Sequence, residues 1–241
     1  MPKLDKTQYT KDEAKQKMAE RRREKELQQY QNLNQKQAIV PRRVPNKKIA
    51  FVLGNGTSRK DIDLDKLKSL GKVYACNAVY RTFRPDYLVA VDVKMILEIN
   101  KTGFQNHNEV WTNPNRSYQH LKNFNYFSPS KGWSSGPTAL WLAAQHNYDT
   151  IYILGFDYKG LDDGKKLNNL YADTRNYKKS TDSATFFGNW MRQTISVIKE
   201  NPQIQFNRVI QPDNYQPEEL NKFSNFKNEL IVDFQKKLEI F

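Results

Sequence analysis

Residues 54–58 read Gly54-Asn55-Gly56-Thr57-Ser58, two glycines around an amide side chain, followed by two hydroxyls. Glycines let a ligand approach the backbone, and amides at a helix N-terminus attract anions. The turn is therefore a candidate nucleotide loop in which Gly54, Asn55, Gly56 and Ser58 face a phosphate. It lacks the third glycine of the dinucleotide fingerprint, and a tight turn explains two glycines equally well. Asn77 and Asp92 each end an apolar run. An asparagine there offers a paired donor and acceptor to a base edge or sugar hydroxyl, or serves as a turn residue tolerant of unusual φ and ψ. Ser134-Ser135-Gly136-Pro137 sets hydroxyls and free amides ahead of a proline suited to a first helical turn, which makes either an anion or ribose site or a simple cap. Asp157, after Gly155-Phe156, is placed to bind ribose, a metal or an acceptor, or to cap its own loop.

These residues fall where strands should end. Ile49-Ala50-Phe51-Val52-Leu53 reads as a buried parallel strand, and further strands are expected over 72–76, 86–92, 109–112 and 150–154. Helices are expected between them: 63–70 with Ser58 as its cap and Gly71 as its end, 93–100, and 136–146 with Ala139, Leu140, Ala143 and Ala144 on one face. Such alternation predicts a single Rossmann-like α/β domain over 48–212, a doubly wound, mostly parallel sheet with helices on both faces. Within it, 182–199 reads as an amphipathic helix and Ile204-Gln205-Phe206 as an edge strand. The segment 213–241 has apolar positions from Leu220 to Phe241 near helical spacing. It reads as a helical tail that packs back on the domain or docks a partner or second copy.

The charge is unevenly placed. The 241 residues carry +13, but residues 1–48 hold 14 Lys/Arg against 6 Asp/Glu, a net of +8, which leaves 25 against 20 for the remaining 193 residues. Residues 1–47 are expected to form a basic helical or disordered arm and linker. Arg21-Arg22-Arg23 offers charge to nucleic acid or lipid phosphates, but no aromatics are interleaved with it, so a charged soluble arm is the favoured reading. The single cysteine, Cys76, excludes an intramolecular disulfide and a multi-cysteine metal site. No apolar run reaches the length of about 18–20 residues that spans a bilayer, and no signal peptide is evident, so a cytoplasmic protein is expected. His107 and His120 have no carboxylate or cysteine partner at metal spacing, and His146 is expected to complement a helix dipole.

The ordered set Gly54-Asn55-Gly56-Thr57-Ser58, Asp61-Ile62-Asp63, Cys76-Asn77, Ser134-Ser135-Gly136, Ala139, Ala143, Asn147-Tyr148, Ile151-Tyr152 and Gly155-Phe156-Asp157 resembles the family-42 glycosyltransferases. These are bacterial sialyltransferases with Gly-Asn-Gly-Pro-Ser, Cys-Asn, Thr-Ser-Gly and Gly-Ile-Asp in the same order. The chain is also similar to the wider group that includes hydroxymethylpterin pyrophosphokinases. The resemblance covers about 48–210 and implies a CMP- or UDP-linked sugar as substrate, with no metal or other cofactor required. It makes Asn55, Asn77 and Ser135 nucleotide contacts and lets the phosphate approach Gly56.

The pattern departs from the family where the chemistry matters. Thr57 replaces a proline, and no histidine follows His146, whereas the family's general base is a histidine after Gly-Ile-Asp. Tyr177 falls near that place and, with Asp157, is the catalytic candidate. A tyrosine works as a base near neutrality only if a cation such as Lys178 or Lys179 lowers its pKa. Three functions follow as expectations: metal-independent sugar transfer, a non-catalytic assembly or virion-type component on a degenerate glycosyltransferase fold, and ATP- and magnesium-dependent pyrophosphoryl transfer.

Overall fold

The computed structural model describes residues 48–240 together with Met18 and Arg21. The chain divides into two compact units, Met1–Val40 and Pro41–Phe241. In the first, Met18 and Arg21 are helical and exposed; the rest of the expected arm and linker lies outside the described residues.

The second unit is built on eight parallel strands: β1 (Ile49–Leu53), β2 (Lys72–Cys76), β3 (Tyr87–Val89), β4 (Glu109–Thr112), β5 (Asn125–Tyr126), β6 (Thr150–Leu154), β7 (Gln205–Ile210) and β8 (Phe226–Leu230). Their order across the sheet is β5-β4-β3-β2-β1-β6-β7-β8. All five residues of β1 are buried, as a strand covered on both faces requires. Val52 sits opposite Tyr74 on one side and Ile153 on the other. The chain therefore builds outward from β1 to β5, then returns to place β6 against the other side of β1. The reversal sets a topological switch point between β1 and β6, where open α/β sheets bind ligands beyond the strands' carboxyl ends.

Helices close both faces, as the alternation predicts. On one, α3 (Ser135–Ala144) and α4 (Gly188–Glu200) join Ala50, Val52, Tyr74, Ile151 and Ile153 in a single apolar cluster through Ala139, Leu140, Ala143, Val197 and Ile198. On the other, Phe234 of α5 (Ile231–Ile240) meets the rings of Phe51 and Tyr152 at 6.3 and 5.1 Å. Helices α1 (Leu64–Leu70) and α2 (Val93–Thr102) connect the strands of the first half.

Four local expectations are corrected. Asp63, not Ser58, caps α1, accepting from the Asp65 and Lys66 amides. Strand β7 is interior rather than an edge, because β8 pairs with it from Phe206 opposite Phe226 to Ile210 opposite Leu230. The expected helical tail thus contains a strand: Phe226 and Glu229 are buried while Lys227 and Leu230 are exposed, and the spacing of Phe223, Phe226 and Leu230 imitates a helical stripe. Helix α4 begins at Gly188, six residues after the expected start, and leaves Phe186 exposed.

Candidate functional site

The glycine turn and the Gly155-Phe156-Asp157 loop meet at the switch point, and backbone geometry locks them together. Gly54 N–H donates to the Leu154 carbonyl at 2.7 Å and Gly56 N–H to the Gly155 carbonyl at 2.9 Å. A Cβ on Gly56 would overlap the Asp157 carboxylate and the Gly155 carbonyl. The space above Gly56, expected to admit a phosphate, is filled by the protein itself.

The Thr57 and Ser58 amides of the turn also have acceptors. Ser58 N–H and Oγ–H donate to the two oxygens of the buried Asp157 carboxylate, at 3.1 and 2.5 Å. Thr57 N–H and Oγ–H both donate to Asn168 Oδ1, at 2.9 and 2.8 Å, and Leu170 N–H donates to the Asn55 carbonyl. Asn168 and Leu170 belong to the long connection from β6 to α4, which therefore folds over the turn. As arranged here, Gly56, Thr57 and Ser58 offer no free amide to an anion, and Asp157, expected as catalytic, is a cap for Ser58.

Tyr177 reaches the rim from the same connection. Its hydroxyl accepts from Asn55 Nδ2 at 3.0 Å and from the Ala78 amide at 3.3 Å, bridging the ends of β1 and β2. Burial raises its pKa further above the ordinary value of 10, a nearby Cys76 thiol adds to that, and the favourable Ala78 and Arg81 contacts do not reverse it. The lowering that a tyrosine base would need is therefore not found, and Tyr177 stays a neutral phenol near pH 7. Its ring lies 5.7 Å from the Arg81 guanidinium.

Asn55 and the Asn77-Ala78 turn are thus brought together through one hydroxyl. Asn77 holds a left-handed φ of 52°, a conformation asparagine accepts more readily than most residues, and its buried Oδ1 has no partner. Burial pushes the Cys76 thiol up to about 12, so the adjacent cysteine is no nucleophile. Ser135 is placed differently. Its hydroxyl accepts from the Val91 amide at 3.1 Å, tying α3 to the end of β3, and it shares no hydrogen bond with Asn55 or Asn77. Ser134 caps through its backbone: its carbonyl accepts from Thr138 N–H and Oγ–H, and its N–H donates to Gln193 Oε1. Gly136 leaves room for the Phe156 ring, which a Cβ would meet at 3.3 Å. Asp92, at the head of α2, is exposed and gives that helix no side-chain cap.

Sequence reasoning missed two arginines. Arg208 on β7, 1% exposed, donates to the Phe156, Tyr215 and Asp157 carbonyls and to Asn228 Oδ1, bracing the loop after β6. Arg59, in the 3-10 turn Thr57–Arg59, donates through Nε to the Gly54 carbonyl. Its position one residue beyond the glycine turn was the available signal. His146 is corrected as well: its Nδ1 meets the Tyr74 hydroxyl, and burial lowers its pKa, which opposes the charged form that a helix dipole would favour.

Among the described residues, no helix is long and apolar enough to cross a membrane, and no group of three or more His, Cys, Asp or Glu side chains is placed to hold a metal. No protein-family model, curated protein or solved structure matches the chain.

Proposed function

We propose that the chain is a glycosyltransferase-like protein that binds a nucleotide-activated sugar beyond the carboxyl ends of β1 and β2, beside the switch point. One observation carries this reading: Asn55 Nδ2 and the Ala78 amide converge on a single oxygen, now that of Tyr177, next to the buried and unpartnered Asn77 Oδ1. Two donors and an acceptor on adjacent strand ends form a recognition set for a polar ring or sugar. Tyr177 stands in for the ligand until it withdraws. The proposed transfer takes the nucleotide sugar as substrate and uses no metal. With Tyr177 neutral and Asp157 engaged, Asp92 is a carboxylate free to accept a proton on this rim.

The test is a thermal-shift series with CMP, UDP, GDP and ATP, with and without magnesium. CMP or UDP is expected to stabilise the protein without metal, and Asn55→Ala to weaken binding at least tenfold. Stabilisation by ATP plus magnesium alone would mark pyrophosphoryl transfer instead. A second reading, a non-catalytic assembly or virion-type component, is favoured by the occupied turn amides and the neutral Tyr177. Failure of every nucleotide to stabilise the protein would select it.

A further inference from the structure

Arg59 is 5% exposed. Its Nε is used by the Gly54 carbonyl, its Cδ lies beside Gly155, and its charge bears on the buried Cys76 thiol, which places the guanidinium under the carboxyl rim at β1. Nη2 is buried with no partner, and among the described residues no carboxylate pairs with Arg59. Arg208 gives the contrast within the same fold, since three of its nitrogens find oxygen acceptors. An unpaired buried charge is among the least favourable arrangements a folded chain can hold, so it points to a counter-charge that arrives from outside.

Position narrows what that counter-charge is. The guanidinium lies beside the switch point, and Asn77, which follows Cys76, presents a second orphaned atom, an acceptor. A charged donor and a neutral acceptor together suit an oxyanion with an N–H or O–H group attached through a short frame. A nucleotide has both: a phosphate, and a sugar hydroxyl or base amine. We infer that Arg59 is the oxyanion anchor of this site, receiving a phosphate of the ligand on Nη2. The glycine turn then serves as the scaffold that buries the arginine rather than as the phosphate cradle. This deepens the nucleotide-binding reading and rests on it for the identity of the ligand.

The full chain and its Arg59→Gln variant are compared by thermal shift and calorimetry with pyrophosphate, CMP, UDP, and the nucleosides cytidine and uridine. The phosphate-bearing probes are expected to stabilise the wild type, and Arg59→Gln to weaken them at least tenfold while leaving the weak nucleoside response unchanged. Without ligand, Arg59→Gln is expected to melt no lower than the wild type and up to about 2–4 °C higher, because it removes an unpaired charge. Arg59→Lys, which keeps the charge but not the fork, is expected to fall between the two. A lower melting temperature for ligand-free Arg59→Gln would make the arginine a structural brace and overturn the inference. So would equal CMP or UDP binding by both proteins, which leaves the nucleotide reading standing, or a wild type indifferent to every phosphate. Pyrophosphate binding that depends on Arg59, with nothing gained from a nucleoside, supports the anchor while removing the nucleotide reading.

Discussion

Arg81 and Glu98 meet side by side, Nε to Oε1 and Nη2 to Oε2, both at 2.7 Å. The Glu98 carboxylate also accepts from the Tyr80 hydroxyl and from Asn176 Nδ2, while Arg81 continues to Thr174 Oγ1 and the Arg175 carbonyl. Parallel charge-assisted bonds of this kind fix orientation as well as energy. The pair is the clamp that holds residues 174–177, and so the Tyr177 hydroxyl, against the rim.

Removing one half of the clamp leaves the buried Glu98 without its counter-charge. Arg81→Ala is expected to lower stability by about 3 kcal/mol and to speed proteolytic cleavage within 171–181, measured by urea unfolding and limited digestion. Unchanged digestion would show that the segment is held by something else.

Acidity should release the same clamp. Burial pushes Glu98 upward, but the hydrogen bonds from Arg81 and Tyr80 outweigh it and hold the carboxyl below its ordinary value of 4.5. A depressed folded value means that the stabilisation is complete above the ordinary value and is lost as pH falls through the folded one. The stability gap between wild type and Glu98→Gln should therefore be constant from pH 7 to about 5, then narrow on further acidification. A gap that widens below pH 4.5 would contradict the assignment.

Tyr177→Phe deletes the oxygen shared by Asn55 and Ala78. Two donors lose their acceptor, at an expected cost of about 1–3 kcal/mol. Because burial raises the Tyr177 pKa, its contribution is present below the ordinary value of 10 and lost as pH rises above it. The variant should lose less stability than the wild type between pH 10 and 12. If the oxygen is a stand-in for ligand, the variant should also bind CMP or UDP at least as well as wild type, whereas abolished binding would give the hydroxyl a direct role.

Much of the frame was legible because it depends on local pattern. Ile49–Leu53, Lys72–Cys76, Glu109–Thr112 and Thr150–Leu154 were readable as strands because short stretches rich in β-branched, aromatic and other apolar residues between turn residues leave few other solutions. The eighth strand was not, since Phe223, Phe226 and Leu230 suit a helix until β7 offers Phe226 a partner 20 residues away. At the site, position was readable and occupancy was not. Asn55, Asn77 and Asp157 do lie at strand ends, but nothing local announces that Asn168 will cover Thr57 or that Asp157 will turn back to Ser58, 99 residues earlier. Such pairings depend on tertiary closure, the part of the problem that periodicity does not encode.

Asp157→Asn separates a structural from a catalytic carboxylate. The amide keeps one acceptor for the Ser58 hydroxyl but turns an NH2 group toward Ser58 N–H or loses the second bond, so a loss of about 1–3 kcal/mol is expected. A double-mutant cycle with Ser58→Ala should show coupling, because the two residues share that bond. Full stability with loss of the proposed sugar transfer would instead return Asp157 to the chemistry.

The pairing of β1 with β6 also governs how the molecule is made. Ile49 meets Thr150 only after about a hundred intervening residues have left the ribosome, so the central strand emerges early and waits with one side open. Closing so long a loop is slow, and nascent chains with exposed strand edges tend to associate. Synthesis rate and chaperone supply, rather than final stability, should set the yield of soluble protein.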